Sequence, residues 1–228
     1  MGVGFYSGES VEMFIRSVVS VAALVGLTAC GGGGDNVIGN PIDLSMGPVP
    51  FGDLDTAYDF LVSYAQPTPT PDATAFPNDT LTFHGVMLMA EDLTAVGGSS
   101  STGYLGQVSL TADLTVADDL TLTGTADNFS VANLSNEAPS SFNRDVVGDP
   151  VLTLTSNARN DDEFTISVSM DAGNFDGQSV SGSMFAEFKD VTDQGGDVDA
   201  VTAFTTTPLT VSVEDVPAST FDAVLAAD

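Results

Sequence analysis

The sequence predicts an all-β fold: an eight-stranded antiparallel water-soluble β-barrel, preceded by a short N-terminal helix and a flexible tether. Three observations point to it. From Thr80 onward apolar residues recur at every second position, the period of a strand with one buried face. Asp, Gly and Asn punctuate these runs at short intervals, so consecutive strands pair antiparallel. Ahead of them stands an apolar stretch too short for a bilayer, ending at the only cysteine of the 228 residues.

That stretch, residues 17–27 (SVVSVAALVGL), has the length of a signal-peptide core, and Arg16 supplies the positive charge such a core needs before it. Residues 1–12 carry Glu9 and Glu12 and no base, so translation is expected to begin at Met13, within a signal segment of residues 1–29. The core ends in Leu27-Thr28-Ala29-Cys30. These four residues resemble the lipobox of bacterial lipoproteins. The resemblance implies that the Cys30 sulfur receives a diacylglycerol, that the signal is cut before Cys30, and that the new amino group is acylated. One acyl chain holds a protein marginally at a membrane, and several hold it stably. The resemblance also implies the outer membrane, because Gly31 replaces the Asp that retains such proteins in the inner one. Gly31 to Gly34 open a tether over residues 30–50, a coil spanning roughly 5–6 Å times the square root of its length.

Within residues 53–65, Leu54, Ala57, Tyr58, Leu61, Tyr64 and Ala65 recur at helical spacing, with Asp53 as the expected N-cap. The following QPTPTPDATAFP ends the helix, since alternating prolines force extended backbone. Helix and connector make up residues 51–79, and the barrel domain is expected over residues 80–228.

In VSLTADLTV, Val108, Leu110, Ala112, Leu114 and Val116 share one face, and an Ala117–Asp119 turn follows. Leu120, Leu122, Gly124 and Ala126 share a face of the next run, then Phe164, Ile166, Val168 and Met170, then Val180, Gly182, Met184, Ala186 and Phe188. Weaker runs occupy 80–90, 151–156, 201–213 and 220–226, for about eight strands rich in Thr and Val. Closing the sheet removes its reactive edges. The same alternation would suit an outer-membrane pore, but Trp is absent and only four Tyr exist to form aromatic girdles.

GQVSLTADLTVADDLTLTGTADNF (106–129) resembles a hairpin of the transferrin-binding protein B-like β-barrel surface lipoproteins, and FDGQSVSGSMFAEF (175–188) is similar to their Gly-punctuated later strands. The order of signal, lipobox, Gly tether, helix, Pro-rich connector and barrel is similar to the single-barrel relatives of that family. The likeness covers roughly residues 81–188. It implies a compact eight-stranded barrel displayed on a Gram-negative cell, working by binding and not by catalysis.

Acids number 32 against four bases, a net charge of −28. Such a field repels nucleic acid and anionic lipid headgroups and favours basic partners. One histidine, His84, and one cysteine leave no set of donors for a zinc site. GQSVSG lacks the spacing of a nucleophile elbow and no second histidine is present as base, so no catalytic residues and no cofactor are expected. Asp193, Asp197 and Asp199 in DQGGDVD, and Asp161, Asp162 and Glu163 in NDDE, could gather oxygen ligands for calcium, but neither cluster follows the EF-hand spacing, so both are weak candidates and solvated acidic loops are expected. Three readings remain open here. The barrel presents loops to a protein or nutrient-related partner, carries a small apolar ligand as lipocalins do, or serves the envelope structurally.

Overall fold

The computed structural model describes residues 39–65, 78–93, 100–115, 120–136, 138–158, 163–169, 175–190 and 198–228. The expected signal segment, Cys30, the Pro-rich connector and the expected turn at 117–119 lie outside them. Among the described residues there are one α-helix, α1 (Phe51–Ala65), and ten strands. These are β1 (Thr80–Ala90), β2 (Thr102–Asp113), β3 (Leu120–Ser135), β4 (Ala138–Asp145) and β5 (Leu152–Ala158). They continue as β6 (Glu163–Ser169), β7 (Ser179–Lys189), β8 (Ala200–Phe204), β9 (Leu209–Val213) and β10 (Val216–Ala227). The fold is all-β.

All strand pairings are antiparallel, in the order β1-β2-β3-β5-β6-β7-β8-β10, and β10 returns to β1 to close the sheet into a ring. Two positions in the ring are interrupted. β5 lies against the first half of β3 and β4 against its second half, so the two run in line. β8 and β9 likewise share the space between β7 and β10. The expected 201–213 run is therefore two strands broken at residues 205–208.

The alternating apolar residues converge inside the ring. Phe83, Met87, Val108, Leu110, Leu122, Leu154, Ile166, Met184, Phe188, Leu209 and Leu225 belong to one continuous buried cluster. Burying each large apolar side chain contributes about 1.5–3 kcal/mol. The opposite faces are polar: Ser109, Thr111, Thr123, Thr153, Thr155, Ser181 and Ser183 are exposed.

One stretch of outer wall is apolar. Val86, Leu88, Leu105 and Ala226 point outward and are covered by Leu54, Ala57, Tyr58 and Leu61 of α1. The helix begins two residues before the expected point. The Pro50 carbonyl accepts from the amides of Asp53 and Leu54, so Asp53 stands in the first turn and is not the N-cap. Its charge there still complements the helix dipole.

A bulge joins the interior to this outer layer. Between the pairs Leu105↔Ser130 and Gln107↔Asp127, Gly106 of β2 faces both Asn128 and Phe129 of β3. Asn128 takes φ 50°, a left-handed conformation that Asn tolerates better than most residues. The extra residue flips the alternation, turning Phe129 inward and Asn128 outward. Outside, the Asn128 amide donates to Val49 O (2.8 Å) and to Gln107 Oε1 (3.3 Å). Gln107 Nε2 donates to Leu44 O (2.7 Å) and Gly47 O (2.9 Å), while its Oε1 accepts from Val49 N (3.2 Å). The buried Gln107 thus fastens the segment leading into α1 against the wall.

Candidate functional site

Two concave regions stand out among the described residues. The first is a cleft of about 520 Å³ on the outer wall, beside the last turns of α1. Val62 of α1 and Leu93 form its apolar rim, and Phe204, Val224, Glu187, Lys189, Thr202 and Asp222 come from β7, β8 and β10. Its volume falls in the range of ligand pockets. Period-two geometry builds it: Glu187 and Lys189 share the outward face of β7, and Asp222 and Val224 that of β10. Val224 stands directly opposite Phe204.

The charges in the cleft are arranged unequally. The Lys189 ammonium is buried and bonded to the Glu187 carboxylate, so each neutralises the other. Asp222 Oδ2 accepts from the Leu93 amide at 3.2 Å, and Oδ1 receives only a long contact from Thr205 Oγ1 at 3.5 Å. The Asp222 carboxylate retains acceptor capacity. Phe204 packs one side on Phe185, at 5.4 Å between centroids, and is 45% exposed. The cleft therefore combines an aromatic surface, apolar walls and one uncompensated carboxylate.

The second region is a polar hollow of about 510 Å³ at one end of the ring, lined by Glu91, Asp92, Ser101, Tyr104, Gln178 and Phe221 among others. Its floor is aromatic. Phe175, fully buried, packs tilted against Tyr104 at 4.4 Å and edge-to-face against Phe129 at 5.1 Å, and Tyr104 lies 5.4 Å from Phe221. The turn Phe175-Asp176-Gly177-Gln178 holds this plug in place. Asp176 and Gly177 adopt φ 52° and 83°, as a tight hairpin turn with an Asp-Gly pair requires. Asp176 accepts from Arg144 at 3.0 and 2.5 Å, from the Val147 amide at 3.0 Å and from Tyr104 Oη at 3.3 Å. Arg144 holds the Asp176 carboxyl below the usual carboxylate range. Burial, reinforced by the Asp176 charge, raises the Tyr104 phenol.

Of the residues singled out from sequence, Leu27, Thr28, Ala29, Cys30, Asp161, Asp162, Asp193 and Asp197 lie outside the described residues. Asp199 is described. It is buried, and its amide donates to Lys189 O at 2.9 Å where β8 begins. Among the described residues no three His, Cys, Asp or Glu side chains gather as a metal site would require. His84 faces outward on β1, its ring pKa lowered by burial and opposed by Asp43. Its backbone pairs with Asp228 through bonds of 2.9 and 3.1 Å. No described helix is long and apolar enough to cross a membrane. The cleft residues Asp222, Phe204 and Lys189 carry no sequence motif. Only the sheet pairing brings them together.

Comparison with family models, characterised proteins and solved structures gives no match.

Proposed function

We propose that this chain is an outer-membrane lipoprotein, anchored through lipid on Cys30. Its ring of strands is a compact eight-stranded β-barrel surrounded by water, which presents its outer wall and loops to a protein partner without catalysis. In-line β4/β5 and β8/β9 count as one position each in that barrel. The observation that carries the reading is the lipobox Leu27-Thr28-Ala29-Cys30, standing behind a basic residue and an apolar core.

The described fold supports display over carriage. A continuous buried cluster of side chains, Phe83 and Phe175 among them, lies inside the ring, as in small barrels whose interior is packed, and the two concave regions described lie on the wall and at one end. Exposed Ser and Thr on the outward faces suit water and would be poor company for lipid. On the segments 106–129 and 175–188 we group the chain with single-barrel relatives of the transferrin-binding protein B-like lipoproteins.

Protease treatment of intact cells tests display. The barrel should be lost from wild-type cells while a periplasmic marker survives, and Cys30→Ser should release the protein from the membrane fraction. A protein that survives shaving until the outer membrane is permeabilised would contradict outward presentation.

A further inference from the structure

We infer that the outer-wall cleft is the partner's contact point and that it receives a lysine or arginine side chain from a basic segment of that partner. The inference rests on the display reading and names the chemistry of the site. Glu187 already neutralises Lys189, which leaves Asp222 as the charge without a counter-ion among the residues lining the cleft. Its oxygens hold one backbone N–H at 3.2 Å and one long hydroxyl contact. A carboxylate offers about four acceptor directions, so two or more remain for a guanidinium or ammonium.

The neighbouring residues suit the stem of such a side chain. Phe204 stands opposite Val224, and Asp222 lies two positions along β10 on the same face. Diagonal neighbours of this kind are separated by about 7–8 Å. A long aliphatic stem laid over Phe204 and Val224 therefore brings its charged head to Asp222, while the exposed ring offers its face to the cation. Val62 and Leu93 line the cleft beside this contact and screen part of it with apolar surface. The −28 net charge steers basic segments toward the surface and discourages acidic ones.

The test uses the full chain with Cys30→Ser and a short fluorescent peptide of alternating Leu and Lys, with a Leu–Glu peptide as control, read by anisotropy at physiological salt. Leu–Lys binds and Leu–Glu does not. Asp222→Asn weakens binding about tenfold and Phe204→Ala about fivefold, the scale of one close interfacial charge pair or cation–π contact. Glu214→Gln, an equal loss of charge on the exposed β9–β10 turn, changes it less than about twofold. Thermal melts confirm that each variant is folded. Equal weakening by Asp222→Asn and Glu214→Gln would show that only the overall field attracts the peptide, and would overturn the site. Absence of Leu–Lys binding to the folded chain would do the same. Either result leaves the lipid anchor and surface display, which are read on cells, untouched.

Discussion

The ring of Phe129 occupies the space in which any side chain at Gly106 would begin. A Cβ there would stand 2.4 Å from Phe129 Cε1 and 2.8 Å from Cζ. The bulge that sets Phe129 over Gly106 also sets Asn128 against Gln107, so one irregular pair fixes both the aromatic plug and the seat of the helix segment. Gly106→Val should destabilise the protein by about 1–3 kcal/mol or more through overpacking. Phe129→Ala should cost about 3–5 kcal/mol. Urea unfolding of the singles and the double variant checks this, and the pair should be clearly non-additive.

Ring closure depends on a second bare Cα. A Cβ at Gly85 would fall 2.1 Å from Ala226 O and 2.4 Å from Ala227 Cα, where β1 meets β10. The obstacle is backbone, which cannot swing aside as a side chain does. Gly85→Val should part this seam first. Hydrogen exchange should then show Val224–Ala227 amides exchanging faster relative to those of β6.

The Asp228 carboxyl is pushed up to about 6 by burial, against the hydrogen bond it receives from Asn40. A raised carboxyl favours the folded state while neutral. Its stabilisation is complete below about pH 4 and is lost as pH rises through about 6. Asp228→Asn stays neutral throughout. The variant should gain about 1–2 kcal/mol on wild type between pH 4 and 7, a figure reduced for partial exposure. Paired denaturant titrations at the two pH values measure it, and an unchanged difference would contradict the assignment.

The Arg144–Asp176 pair behaves in the opposite sense. Arg144 depresses Asp176, so the pair contributes above the ordinary carboxylate range and its contribution fades as pH falls through the lowered value. Arg144 is 48% exposed, which limits the effect to about 0.5–1 kcal/mol in Arg144→Ala at pH 7. The loss should shrink in high salt and shrink again as pH falls below the ordinary carboxylate range.

Much of this architecture was legible in the chain. Val108, Leu110, Ala112 and Leu114 are all buried as their alternation requires, as are Ile166, Val180, Met184, Ala186 and Phe188. β1 spans the expected residues 80–90. β4 was not legible, because Ser140 to Asp145 are all exposed and the strand exists only by pairing with β3. Nor was the bulge: local pattern carries the period of two, while the flip at Asn128 follows from the neighbouring strand's Gly106. The cleft was hidden for a related reason. Its residues lie on three strands and a helix, and sequence spacing does not report which outward faces become neighbours.

Attachment to lipid through Cys30 is the link on which the proposed role depends most. Intact-protein mass spectrometry of the chain extracted from membranes tests this directly. The expected species begins at Cys30 and carries the added mass of a diacylglycerol on sulfur and an acyl group on the new amine. Recovery of a chain with residues preceding Cys30 still attached and a free thiol at that position would contradict it.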